Sequence, residues 1–168
     1  MAEDIINRVT NSKLKVIDLE DYYPSGARIL IDIKDWLLEG LVLRETDFRA
    51  QVAAHNWEQY QNAYVALTCS TDAIVPSWAY MLITFELEPY SKRTILGDLN
   101  QLETAIYQDI ISNLDLSDYK DAPVIIKGCS KKPVPESAYI MISNKLKPFA
   151  RSIMFGEACS SVPLYKRK

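Results

Sequence analysis

Apolar positions along this chain change their period several times, and each change marks an element. "YVALTC" (Tyr64 to Cys69) and "VIIKGC" (Val124 to Cys129) are short apolar runs rich in β-formers, the pattern of strands buried on both faces. A helical stripe follows each run: Tyr80, Ile83 and Leu87 after the first, Tyr139, Ile142 and Leu146 after the second. Pro76 and Pro135 fall at the first turn of these helices, where a missing N–H costs nothing. Pro89 and Pro148 close them, because proline cannot continue a helix and disfavours helical geometry in the residue before it. "TILGD" and "SIMFGE" then read as return strands. Between the two phrases, Asp98 to Leu114 places Leu102, Ala105, Ile106, Ile110 and Leu114 on one stripe, which predicts a crossover helix.

Laid over one another, Tyr64 to Asp98 and Val124 to Glu157 match with one residue, Ala73, left over. Cys69 and Cys129, Ser70 and Ser130, Val75 and Val134, Pro76 and Pro135, Ala79 and Ala138, Tyr80 and Tyr139 agree, as do Ile83 and Ile142, Leu87 and Leu146, Pro89 and Pro148, Gly97 and Gly156. This ordered agreement reads as an internal repeat. The expected fold class is therefore α/β: a parallel-core sheet built from two repeated βαβ units, residues 64–98 and 124–157, with right-handed crossovers. Residues 1–60 read as a strand-rich flank packed on or extending that sheet. In it, "LKVIDLEDYY" and "RILIDIKDWL" are strands around the turn Pro24 to Gly26, "GLVLRE" is a third strand, and "TDFRAQVAAH" is a helix capped by Thr46. Nothing resembles a linker, so residues 1–168 are expected to form a single domain.

Composition narrows the function classes. The chain has 168 residues, 48% of them hydrophobic, enough to bury a core without disulfide staples. Its formal net charge of -3 argues against nucleic-acid binding, which needs clustered Lys and Arg, and only the end "YKRK" is basic; that end reads as a solubilising tail. The start "MAEDIINRVT" carries acids instead of a basic n-region, and no apolar run reaches the length of a membrane span. A cytoplasmic protein without membrane contact is expected, with a homodimer as the default assembly. Three cysteines are too few for a secreted disulfide framework.

Parallel sheets bind ligands beyond the carboxyl ends of their strands, at the crevice where strand order reverses. The repeat would set Cys69 and Cys129 on neighbouring strands about 5 Å apart at that crevice. Cys159, Asp98 and Glu157 would share the rim. Thiolates are soft ligands suited to zinc or an iron–sulfur cluster, and the fourth ligand would be Asp98, Glu157, Asp72 or a water. No CxxC spacing adds to that metal reading. An alternative is a thiol enzyme using Cys69 or Cys129, whose pKa a nearby helix start would lower. Its base would have to be His55, the single histidine, reaching the rim only if the N-terminal flank folds over it. A further alternative is a non-catalytic binding or assembly module with structural cysteines, its function carried by exposed aromatics such as Trp36, Trp57 or Trp78. Tyr80 and Tyr139 read as core aromatics. GxGxxG, Walker, HExxH and GxSxG motifs are absent, so dinucleotide, nucleotide, zincin and α/β-hydrolase chemistry lack their usual residues.

The two cysteine phrases, the segment "LEDYYPSGARILIDIKDWLLEGLVLRETDFR" and the ending "SIMFGEACSSVPLYKRK" resemble a bacterial family, typical of Bacteroidetes, catalogued as domain of unknown function 2480. The resemblance covers nearly the whole chain and brings no reaction, substrate or catalytic residue with it. It implies a link to iron–sulfur assembly proteins, which leans toward the metal reading.

Overall fold

The computed structural model describes residues 14–128, 131–157 and 159–168. They hold helices together with parallel strands, as expected of an α/β chain, and gather into two compact units. One, the inserted unit, is Pro24–Ile106; the other, the split unit, joins the residues up to Tyr23 with Tyr107–Lys168.

The inserted unit runs from strand β2 (Arg28–Asp32) through a 3-10 turn, Ile33–Trp36, into helix α1 (Glu45–Ala54). Another 3-10 turn, Trp57–Tyr60, leads to β3 (Tyr64–Thr68), helix α2 (Ser77–Leu87) and β4 (Arg93–Leu96). Its three strands lie in the order β2-β3-β4, all parallel. Sequential parallel strands with right-handed crossovers put both helices on one face. Ile31, Val65 and Leu67 accordingly meet Phe48 and Val52 of α1 and Ala79, Ile83 and Leu87 of α2 in one core.

The split unit begins with β1 (Lys15–Ile17) and a 3-10 turn, Leu19–Tyr22, and resumes in helix α3 (Leu99–Asn113), inside which the division between units falls. A 3-10 turn, Ser117–Tyr119, then leads to β5 (Pro123–Ile126), helix α4 (Glu136–Leu146), β6 (Ser152–Glu157) and β7 (Ser160–Lys166). The order is β1-β5-β6-β7, parallel except for the antiparallel β6–β7 hairpin. Tyr107 and Ile111 of α3 and Ala138, Ile142 and Leu146 of α4 cover the core face, with Ile17, Val124, Ile126 and Ile153 beneath them. Each fully buried aliphatic side chain of this kind contributes about 1.5–3 kcal/mol.

Several expectations need correction. The strands of Tyr64 to Glu157 do not form one sheet: β3 and β4 pair in one, β5 and β6 in another. Each sheet takes its first strand from the N-terminal region instead, and a parallel neighbour for β5 comes from β1, far upstream. The apolar runs "LKVIDLEDYY" and "RILIDIKDWL" are only half strand, because Asp18 and Asp32 end them. Each aspartate accepts a backbone N–H two residues on, Glu20 and Lys34, and turns the chain into a 3-10 helix. "GLVLRE" makes one isolated bridge, Leu38 with Val42. Arg44, with no side-chain cap bond, precedes α1 where Thr46 was expected to cap it. The basic end is not a loose tail: Tyr165 and Lys166 belong to β7.

Candidate functional site

At the carboxyl end of the inserted unit's sheet, Asp32 closes β2 and fastens it to the loop after β3. Its Oδ1 accepts the N–H of Lys34 and the N–H of Ser70, both at 3.1 Å, and its Oδ2 lies 3.6 Å from Lys34 Nζ. Burial pushes this carboxyl's pKa up, but hydrogen bonds from Ser70 and Lys34 outweigh it and hold the group below the ordinary value. Thr71 Oγ1 donates to the Gly40 carbonyl at 2.6 Å, and the half-buried Cys69 thiol lies 3.4 Å from the same hydroxyl. Burial, followed by the nearby Cys69 and Asp32, raises the Tyr80 pKa. The corner is thus a latch of short polar contacts between β2, β3 and the loop at Gly40.

His55 works elsewhere. Its Nε2 is 2.7 Å from Tyr60 Oη, its ring stacks on Tyr60 at 5.6 Å and meets Trp57 edge-on at 4.5 Å. Burial lowers its pKa, so the ring is held neutral in an aromatic corner shared with Trp36. The partner of Cys69 is Thr71, with no base among its contacts.

The remaining expected site residues fall on several elements of the two units. Asp98, exposed, caps α3 by accepting the Gln101 N–H at 2.8 Å. Glu157 ends β6 opposite Ser160, and Cys159 is exposed in the turn between β6 and β7. Asp72 is exposed in the loop before α2. Cys129 and Ser130 lie outside the described residues. Cys69 and Asp98 belong to the inserted unit, Glu157 and Cys159 to the split unit. Among the described residues no three His, Cys, Asp or Glu side chains come together as a metal-holding group. Among the described strands the order reverses in neither sheet, so neither sheet supplies the crevice expected to collect the thiols.

Strand pairing shows why the doubled cysteine phrase misleads. Ile29 pairs with Val65 and Lys15 with Val124, and the interval from Val65 to Val124 is the same as that from Pro76 to Pro135 and from Gly97 to Gly156. No gap at Ala73 is needed, and the counterpart of Cys69 is Gly128, not Cys129. A Cβ at Gly128 would come within 2.8 Å of the Phe155 ring, so a cysteine there would have to displace that ring.

What does stand out is helix α2. Pro76, extended at φ -69 and ψ 145, precedes its first residue, and Ala79, Ile83 and Leu87 turn inward. The opposite side is apolar too: Met81 is 59% and Phe85 73% exposed, and Ile74, just before the helix, is 91% exposed. An exposed apolar stripe of this kind, set among the exposed polar residues Ser77, Thr84 and Glu86, marks a place for a second partner. α4, of the same length and with the same inward residues, keeps an exposed apolar residue, Ile140, where α2 has Met81, but carries Asn144 where α2 has Phe85 and Pro133 where the inserted unit has Ile74.

A family model described as Protein of unknown function (DUF2480) matches residues 3–167. The chain belongs to the DUF2480 family. No curated protein and no solved structure matches this DUF2480 chain. No described helix is long and apolar enough to cross a membrane.

Proposed function

We propose that this DUF2480 protein is a binding or assembly module whose partner is another protein seated on the outward side of α2. The observation that carries this reading is the exposure of Met81 and Phe85, one turn apart on a helix whose inner side is already fully engaged with its own core. Such a stripe offers the i, i+4 anchors through which a helix meets a partner. A metal or iron–sulfur centre through Cys69, Cys129 and Cys159 needs ligands brought together, and the described residues lend that reading no grouping. A thiol enzyme at Cys69 needs a base, and the thiol meets a hydroxyl and a carbonyl of Thr71.

The test is recovery of co-purifying protein by the tagged full chain from the cells that make it. Wild type is compared with Phe85→Asn, which installs the residue α4 carries, and with Met81→Glu/Phe85→Glu. Both sites are exposed, so circular dichroism should be unchanged. A specific partner recovered by wild type and lost from both variants is expected. Equal recovery by all three proteins overturns the reading.

A further inference from the structure

The two units end differently, and the difference describes a docking site. In the split unit, β6 is covered along its outer edge by β7, from Ser152 opposite Lys166 to Glu157 opposite Ser160. In the inserted unit the counterpart of β6 is β4, which ends its sheet: β3 lies on one side, and among the described residues no strand lies on the other. A bare edge of this kind is a template for strand addition.

The space beside that edge is also prepared. In the split unit Ser143, Lys147 and Ile153 line a recess of about 210 Å³ that Leu164 and Tyr165 of β7 complete, with Lys147 Nζ 5.7 Å from the Tyr165 ring centre. In the inserted unit their counterparts Thr84, Glu88 and Thr94 line an open trough of about 300 Å³. Arg167, just past β7, is held at the far end. Its guanidinium donates to Asp121 at 2.6 Å and to the carbonyls of Pro148 and Phe149 at 3.0 Å, and its N–H donates to the Arg151 carbonyl at 2.9 Å. The counterparts of that acceptor set are Asn62 and the carbonyls of Pro89, Tyr90 and Lys92. The local backbone agrees: Tyr90 O accepts from Asn62 as Phe149 O accepts from Asp121, and φ is +60° at Asn62 and +55° at Asp121. Glu88 stands where α4 has Lys147, while Lys92, whose Nζ donates to the Ser25 carbonyl at 2.7 Å, and Arg93 complete the lining of the trough.

We infer that the outer edge of β4 and the trough beneath α2 receive an extended segment of a partner protein. The segment runs antiparallel to β4, sets an aromatic residue over Thr94 and, two residues on, an arginine against Asn62 and the Pro89 and Tyr90 carbonyls. Main-chain pairing supplies affinity, and the aromatic and the arginine supply selection. The inference rests on the reading of the chain as a binding module, since it names the segment that such a partner would present.

The probe is a synthetic peptide with the sequence of Ser160 to Lys168, titrated into the full chain while backbone amide resonances are followed. Saturable shifts centred on residues 84, 88 and 93–96 are expected, with affinity falling at least tenfold when the peptide's tyrosine or arginine is alanine. No saturable binding, or shifts centred on β6 as the peptide displaces β7, overturns the inference. Concentration-dependent dimerisation of the peptide-free chain, abolished by removing residues 160–168, would make the guest a second copy and overturn the assignment to a partner protein. The Phe85→Asn variant separates the two proposals: it should lose the partner in the recovery assay yet keep the peptide. Peptide binding without any recovered partner would sink the α2 reading alone, and a recovered partner without peptide binding would sink this one alone.

Discussion

The inserted and split units solve the same structural problems with different residues. The carbonyls ending the first helix need donors in both. In the split unit Lys145 Nζ donates to Ile111, Ser112 and Leu114 at 2.6–2.8 Å; in the inserted unit the Trp57 indole donates to Val52 at 2.9 Å, and Glu86 stands in the lysine's place. The polar link at the end of the first strand differs likewise. Asp18 takes Lys127 at 2.9 Å, and Asp32 takes the loop N–H of Ser70. What stays constant is the inward row of α2 and α4, fully buried in both. Backbone geometry and buried volume set the architecture, then, while polar fastenings are interchangeable as long as each orphaned group finds some partner.

That lesson can be broken or sharpened by paired substitutions. The largest effect belongs to the constant row: Ile83→Ala and Ile142→Ala should each cost about 2–5 kcal/mol in denaturant unfolding, with a similar loss for both. A pair differing by more than about 2 kcal/mol would show that the two cores are not equivalent. Next come the interchangeable fastenings. Lys145→Ala leaves three carbonyls short of a donor and should cost about 2–3 kcal/mol, whereas Trp57→Phe leaves one and should cost about 1–2 kcal/mol by the same measurement. The glycines closing the return strands come third. Gly97 and Gly156 have φ of +149° and +119°. A Cβ at Gly156 meets the Ser160 backbone oxygen at 2.7 Å, while one at Gly97 meets the end of the Gln101 side chain, which can turn away at the loss of its bond from the Asp98 N–H. Gly156→Ala should therefore lower the melting midpoint more than Gly97→Ala.

The smallest effect is that of pH. Burial lowers the His55 pKa from 6.5, so below that value the unfolded chain takes up a proton that the folded chain resists. Stability is fully present above 6.5 and is lost as pH falls from there toward the folded pKa. His55→Leu, the residue at the matching position of the split unit, should flatten that slope when unfolding midpoints at pH 5 and 7.5 are compared.

Much of this was legible in the chain. The helices α2, α3 and α4 show their apolar spacing and proline punctuation openly, and the runs that became β3 and β5 are unmistakable. Strand pairing was not legible, because β1 is three residues long and its partner β5 lies beyond the whole inserted unit. The turn-forming role of Asp18 and Asp32 was hidden inside runs that alternate like strands. β7 was obscured by Pro163 and by the basic residues at its end, although Val162, Leu164 and Tyr165 are apolar. The cysteine rim rested on a shared sheet, which sequence identity at Cys69 and Cys129 does not specify, and β3 and β5 lie in separate sheets. The exposed side of α2 left a trace in the sequence, since Met81 and Phe85 fall between the inward positions, but Ser77, Thr84 and Glu86 beside them make the helix read as an ordinary amphipathic one.

The nesting of one unit within the other has a consequence for synthesis. The ribosome releases β1 first, then everything needed to complete the inserted unit, and only afterwards the strand β1 must join. The early strand waits while its neighbour folds, and that folding draws its two ends together and shortens the effective loop that β1 and β5 must close. A chain halted after residue 106 would leave Ile17, buried in the whole chain, without the strand that β1 joins.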